Sequence, residues 1–475
     1  MKNNAIIKPI LFVLLLLVIS TNAFSNIRLP NIIGSHMVVQ QKSKIKIWGW
    51  GSPAEKVTIK PSWDTTQYVA ETNNGAKWST EILTPKAGGP YTISIIGENT
   101  IILEDVMVGE VWVCSGQSNM EWSGDQGLQE TKDEAPNATN TNIRFFYVPK
   151  STSEYPQENI DAKWVVCNPE DMKHFSAIGY FFGKNLQANL NGSVGLINAN
   201  WGGTPAETWT PEYVINTSPI IKKGAAELSD FPWWSSKTAI TYNAMIAPLT
   251  NYTIAGVIWY QGESNTGSHY AYEQLFTGMI DAWRLAWKKD FPFYFMQIGP
   301  FSYERLNIGA LLREAQTKSA LHTNTGMVVL SDLVPDTNNI HPTRKIEVAA
   351  RLANLALHNT YGFSQILANG PLYKSYSLDK DKVIIQLDNI GGGLICKDKE
   401  ISQFQIAGAD KIFIPAQAKI VGNTIIVTNK GIKNPIAVRY SFSNTAIGNV
   451  FNKEGLPLNL FRTDNWEMDT SLIKK

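Results

Sequence analysis

The sequence predicts an α/β domain built on a parallel sheet, with a small all-β unit at either end of the chain. Three observations predict it. From residue 27 to about 105, apolar and polar positions alternate between Gly/Pro/Asn turns; from Val106 to about Gly362, short β-branched apolar runs alternate with stretches of helical period; from about Pro371, short alternating runs return.

In chain order, residues 1–25 read as an export signal: Lys2 and Lys8 make a basic start, Ile10 to Ile19 an apolar run, and Thr21-Asn22-Ala23 a small-residue cleavage site. That run is shorter than the ~20 residues that span a bilayer, so the mature chain is expected in the periplasm or outside the cell, without a membrane span. Residues 26–105 form the N-terminal β unit, in which Lys44 to Gly49 and Lys56 to Lys60 alternate as half-buried strands do. Residues 106–362 form the α/β core. Its expected strands are Glu110 to Cys114, Ser193 to Asn198, Thr253 to Tyr260, Phe291 to Ile298 and Met327 to Ser331, apolar enough for burial on both faces. Between them Tyr272, Leu275, Phe276, Met279, Ile280, Trp283 and Trp287 keep the spacing of a helix packed on a sheet, as do Ile346, Ala349, Ala350 and Ala353. Residues 363–475 form the C-terminal β unit, with strands at Lys382 to Leu387, Phe404 to Ile406 and Thr424 to Val427.

Composition narrows the chemistry. The chain has 475 residues with 42 Lys+Arg against 41 Asp+Glu and no local basic patch, which argues against a nucleic-acid partner. Cys114, Cys167 and Cys396 are too few for a disulfide framework, and an odd count leaves at least one thiol unpaired within the chain. No CxxC, HExxH or other clustered ligand spacing occurs, so neither a metal nor a cofactor is expected.

In open α/β sheets ligands bind beyond the carboxyl ends of the strands, and the turns there carry the reactive residues: Ser115-Gly116-Gln117-Ser118-Asn119-Met120, Trp201-Gly202-Gly203-Thr204, Gln261-Gly262-Glu263-Ser264-Asn265, and Asn338-Asn339-Ile340-His341-Pro342. A hydroxyl, glycine amides, a carboxamide and an imidazole are the inventory for acyl transfer. Ser118 is the expected nucleophile and His341 its base, because imidazole titrates near neutral pH; His269 is the second choice. The backbone N–H groups of Ser118 and Gly203 and the side-chain amide of Gln261 are the expected oxyanion donors, with Asn265 as the alternative to Gln261. Taken singly each of these turns also reads as an ordinary Ser/Asn/Gly turn. Glu263 reads as a supporting hydrogen-bonding group or substrate contact. A glycosidase would need a second carboxylate opposite it, for which Asp332 is the sole candidate at a strand end. Trp122, Trp201, Trp209, Trp233 and Trp234 fall in or near these loops, where ring faces can stack on sugars, although core packing must account for most of the fifteen Trp.

At these turns the sequence resembles the SGNH/GDSL hydrolase superfamily, and within it the sialate O-acetylesterases. The residues that carry the resemblance are Met37-Val38-Val39-Gln40-Gln41, Gly116-Gln117-Ser118-Asn119-Met120-Glu121-Trp122, Trp201-Gly202-Gly203-Thr204-Pro205-Ala206-Glu207, Trp259-Tyr260-Gln261-Gly262-Glu263-Ser264-Asn265, Ile340-His341-Pro342 and Phe461-Arg462-Thr463-Asp464-Asn465-Trp466. The resemblance implies a three-layer SGNH-type core and a cofactor-free serine esterase acting on O-acetylated sialic acid, typically the 9-O-acetyl form, with Ser118, His341, Gly203 and Gln261 in the catalytic roles. The superfamily often has an Asp two or three positions before the His; here Asn339 and Asn338 stand there, leaving Asp336, Asp332 or a carbonyl to orient the imidazole. Another acetylated glycan, such as acetylxylan, would use the same residues, and a non-catalytic glycan-binding protein is the alternative of a different class. Sialate recognition calls for a basic contact to the carboxylate, for which Arg462 and Arg439 are the candidates.

Overall fold

Strands covered on both faces leave no position for a solvated side chain, and the apolar runs of the core occupy such strands. The computed structural model describes residues 26–234 and 236–473; the export signal expected over residues 1–25 lies outside the described residues. The N-terminal unit holds β1 (Val38–Gln40), β2 (Lys44–Trp50), β3 (Lys56–Pro61), β4 (Tyr68–Glu71), β5 (Lys77–Leu83) and β6 (Gly88–Ile96). The core holds β7 (Thr100–Gly116), β8 (Asn140–Tyr147), β9 (Trp164–Cys167), β10 (Ser193–Asn200), β11 (Gly256–Tyr260), β12 (Phe293–Met296) and β13 (Thr325–Val328).

The core sheet runs β13-β12-β11-β7-β10-β8-β9, parallel except at the β8–β9 pair. The first half of β7 pairs antiparallel with β6 and parallel with β1, and β3 and β4 extend that end of the sheet, while β2 and β5 form a ribbon of their own. The expected division after residue 105 thus falls inside a single strand, and the β unit and the core share it.

Side chains alternate across the sheet as the two-residue period requires. Val111 and Val113 of β7, Val257 and Trp259 of β11 and Phe293 and Phe295 of β12 enter one apolar layer. Their neighbours Trp112, Cys114, Ile258, Tyr260, Tyr294 and Met296 enter the other. Five helices matter here: α1 (Ser118–Glu121), α2 (Ala177–Leu190), α3 (His269–Trp287), α4 (Ile308–Ser319) and α5 (Lys345–Asn359). Tyr272, Phe276 and Trp283 of α3 and Ile308 and Leu312 of α4 pack in the first layer. Ile178, Phe182 and Leu186 of α2 and Val348, Leu352 and Leu355 of α5 pack in the second. The architecture is therefore the expected three-layer α/β core with all-β units at both ends. Among the described residues no helix is long and apolar enough to cross a membrane.

In the C-terminal unit, Val383, Ile385, Ile425, Phe404, Ile406 and Val438 form a separate core between two four-stranded sheets. It is tied to the α/β core where Ala310 and Leu311 of α4 meet Phe442 and Leu460, and where Arg462 grips Glu314 through two bonds of 2.8 and 2.9 Å.

One feature of this topology positions the site. β10 and β11 flank β7 on opposite sides, and Asn200 and Tyr260 both pair with Gly116. The chain proceeds to one side of β7 and then to the other, which opens a crevice at its carboxyl end.

Candidate active site

Gly116 ends β7 with a φ of +133°, and a Cβ there would lie 2.2 Å from the carbonyl oxygen of Tyr260. Only glycine fits this close turn. The Gln117 N–H then donates to the same carbonyl at 2.9 Å, and Ser118 opens α1, half-buried at the crevice.

His341 meets it there, with Nε2 3.0 Å from Ser118 Oγ. Three contacts hold the imidazole. Its backbone N–H donates to Asn339 Oδ1 at 2.9 Å, Asn119 Nδ2 donates to the preceding carbonyl of Ile340 at 3.0 Å, and the Trp122 ring stacks on it at 4.2 Å and 23°. Among the described residues Nδ1 has no hydrogen-bond partner. Asp332 is clamped by Arg351 through two bonds of 2.7 Å, and Asp336 accepts from the Asn338 N–H at 2.8 Å, so neither carboxylate serves His341. Burial, and then the charge of Lys345, lower the imidazole pKa to about 4. The ring is therefore neutral at pH 7 and able to accept a proton.

The Gly202-Gly203 turn lies against the same residue: a Cβ on Gly202 would sit 3.4 Å from Ser118 Cβ. The Gly202 N–H donates to the carboxylate of Glu121, which is also bonded by Lys150. Gly203 turns with φ +79° beneath the Trp234 ring. The backbone N–H groups of Ser118 and Gly203 have no acceptor among the described residues, the condition an oxyanion donor must meet.

Gln261 behaves differently from the expectation. Its side chain is fully buried: Nε2 donates to Asn265 Oδ1 at 2.7 Å and to the Thr204 carbonyl at 3.4 Å, while Oε1 accepts from Tyr272 at 2.9 Å. The structure does not bring this amide to Ser118 as a free donor. Asn265 is committed likewise, donating to Glu207 at 2.8 Å and accepting from the Ala206 N–H at 2.9 Å. His269 bonds the Thr266 carbonyl at 3.1 Å instead of a nucleophile. Trp209 is core, whereas Trp233 is 67% exposed.

Three residues gained no role from sequence reasoning. Gln117 Oε1 accepts from the N–H groups of Gly262 and Ser264 at 3.2 and 3.4 Å, and its Nε2 has no acceptor among the described residues. Asn119 and Lys345 form a buried chain with Glu263: Lys345 Nζ donates to Asn119 Oδ1 at 2.8 Å, and Asn119 Nδ2 to Glu263 Oε1 at 2.7 Å. The Lys345 ammonium also lies over the Tyr260 and Trp122 rings. Burial lowers the Lys345 pKa and raises that of Glu263. Glu263 is thus a buttress for Asn119, and with Asp332 held by Arg351 it has no carboxylate partner for glycoside hydrolysis. The one available signal for Lys345 was a lysine four residues past the histidine, at a helix start.

Residues 108–358 match the model of a family described as carbohydrate esterase, sialic acid-specific acetylesterase. Human sialate O-acetylesterase is 29% identical over 399 residues, 76% of each chain, and mouse sialate O-acetylesterase 28% identical over 437 residues, 78% of this chain and 80% of that one. A crystal structure described as a novel carbohydrate acetylesterase from Xanthomonas citri superposes with a TM-score of 0.85 at 32% identity, covering 93% of this chain and all of that one. With more than half of its length matched by the family model and 93% of it superposed on a solved acetylesterase at 32% identity, the chain belongs to this family of carbohydrate O-acetylesterases.

Proposed function

We propose that the chain is an exported serine esterase that removes acetyl groups from O-acetylated sialic acids, with Ser118 as nucleophile and His341 as base. The observation that carries the mechanism is the 3.0 Å contact between half-buried Ser118 Oγ and His341 Nε2, beside two backbone N–H groups without an acceptor among the described residues.

Ser118 Oγ attacks the acetyl carbonyl carbon while His341 Nε2 takes the hydroxyl proton. The negative oxygen that develops is bonded by the N–H groups of Ser118 and Gly203. As the C–O bond to the sugar breaks, the imidazolium returns its proton to the departing sugar oxygen. Acetyl-Ser118 is left, and water, deprotonated by the same imidazole, releases acetate. Among the described residues no acid orients this imidazole; the Trp122 stack and the Asn119 and Asn339 tethers do so. An acid partner mainly fixes the tautomer and stabilises the imidazolium, so a Ser-His pair retains the mechanism with a weaker base.

The family description and the mammalian relatives favour sialate as the substrate. A second reading, another acetylated carbohydrate, is favoured by a specific observation. The two arginines expected to meet a sialate carboxylate are already paired, Arg439 with Asp464 at 2.8 and 2.9 Å and Arg462 with Glu314. Acetate release from 9-O-acetylated sialic acid and from acetylated xylan, by wild type and Ser118→Ala, separates the two. Faster release from the sialic acid, lost in the variant, is the expected result; equal rates on both substrates would overturn the sialate assignment.

A further inference from the structure

Beside Gly203 opens a cleft of about 400 Å³, walled in part by Ser264, Ser268, Glu227, Phe231 and Arg305. It begins at one proposed oxyanion donor, so a sugar acetylated at Ser118 has room to extend into it. Its cation is unusual in this molecule. Arg144, Arg284, Arg344, Arg351, Arg439 and Arg462 each pair with a carboxylate. Arg305 has none among the described residues: its Nε donates to the Thr470 carbonyl at 2.9 Å and its Nη2 to Thr470 Oγ1 at 3.4 Å. Arg313 also lacks an acid, but it is buried and bonded to backbone carbonyls, and Arg28 lies in the N-terminal unit. The carboxylate across the cleft, Glu227, accepts from Tyr270 at 2.7 Å and has Lys223 at 3.8 Å.

The backbone around Arg305 is fixed from both sides. Leu306 N–H donates to the Ser471 carbonyl at 2.9 Å, Ile473 N–H to the Glu304 carbonyl at 2.8 Å, and Asn307 Nδ2 to the Asp469 carbonyl at 3.0 Å. Residues 469–473 therefore clamp this loop, and the Thr470 contacts hold the guanidinium along one edge while Nη1 has no acceptor among the described residues. A guanidinium held this way is pre-organised to meet a carboxylate.

We infer that Arg305 is a specificity-determining residue which binds the carboxylate of an acidic sugar whose acetyl group is presented to Ser118. This rests on the esterase reading and deepens it: the substrates are carboxylated sugars, sialic or hexuronic. It also supplies the cation that Arg439 and Arg462 do not.

The test is a ratio. For 9-O-acetylated sialic acid, kcat/KM is measured on the free acid and on its carboxyl methyl ester, in wild type, Arg305→Gln and Arg305→Lys; acetylated hexuronic acid and its methyl ester form a second arm. A misfolded fraction lowers both members of each pair equally, so the ratio survives partial unfolding of a variant. Wild type should prefer the free acid by about 10- to 100-fold through KM, the range of a hydrogen bond to a charged group. The preference should collapse to about one in Arg305→Gln and persist in part in Arg305→Lys. The arm showing the larger collapse names the sugar. A wild-type ratio near one on both sugars, or a ratio that survives in Arg305→Gln, overturns the inference. The esterase reading fails separately, if wild type and Ser118→Ala release acetate equally.

Discussion

Turns at the same sheet edge use their polar groups in opposite ways. The Gln117-Ser118 and Gly202-Gly203 turns leave groups without partners among the described residues: the Ser118 and Gly203 N–H groups, Gln117 Nε2 and, across from them, His341 Nδ1. The turn that follows β11 leaves few. Gln261 and Asn265 bond each other, Tyr272, Glu207, Ala206 and Thr204, and Glu263 holds Asn119. Buried polar groups must find partners inside the protein, so a turn that sinks below the surface becomes scaffold whatever its residue types. A turn that stays at the crevice keeps donors for a substrate. The difference lies in depth: Gln261 and Asn265 are fully buried, Ser118 and His341 are part-exposed, and Gln117, though mostly buried, has its Nε2 outside the fully buried unpartnered atoms.

The largest effect expected from this contrast is on the open side. Ser118→Ala or His341→Ala should lower kcat by about 10⁴- to 10⁶-fold with the melting temperature retained. Acetate release at near wild-type rate by either variant would remove the open turn from the chemistry. On the closed side the signature reverses. Gln261→Ala removes the buried bonds to Asn265 Oδ1 and Tyr272 and should cost roughly 1–3 kcal/mol of stability, read from denaturant unfolding. A 10²- to 10³-fold fall in kcat with stability unchanged would instead make Gln261 an oxyanion donor.

The smaller effects sharpen the electrostatic part. His341 must be neutral to act, and its pKa is lowered from the usual histidine range to about 4. The profile of kcat/KM against pH should therefore stay level through pH 6 and fall along an acid limb near 4; a limb near ~6.5, the ordinary histidine value, would contradict the burial argument. Stability carries the same sign. The unfolded imidazole takes up its proton first as pH falls, so this residue's contribution is lost from about 6.5 downward, toward the folded value. Replacing Lys345 with Met removes the secondary cause of the depression and should raise the limb, but not to the ordinary value, because burial, the larger cause, remains. An unmoved limb would show that Lys345 does not reach His341.

Legibility in the sequence followed burial. β7, β10, β11, β12 and β13 announced themselves because both faces are covered and their runs carry few charged residues among small, aliphatic and aromatic ones. β8 and β9 did not. β8 opens on Asn140-Thr141-Asn142 and carries Arg144, which is buried because Asp105 binds it, and no local pattern reveals a partner 39 residues away. At the proposed site, Ser118 and Gly203 were nominated by strand-end position and residue type and His341 by being the histidine in a loop beyond the last strand, and the structure brings Ser118 and His341 together. The Asn119–Lys345 contact spans 226 residues, and it exists only once α5 is docked behind α1. Gln261 shows the limit from the other side, since a carboxamide at a strand end looks the same whether it faces a substrate or a buried asparagine.

The measurement that tests the central claim most directly is mass spectrometry of the protein quenched in acid during turnover of 9-O-acetylated sialic acid. A Ser-His esterase with a weakly basic imidazole should carry one acetyl group on the peptide containing Ser118, absent from Ser118→Ala, which should also release no acetate above background. Turnover by wild type with no acetyl group trapped, together with full acetate release by Ser118→Ala, would contradict the account.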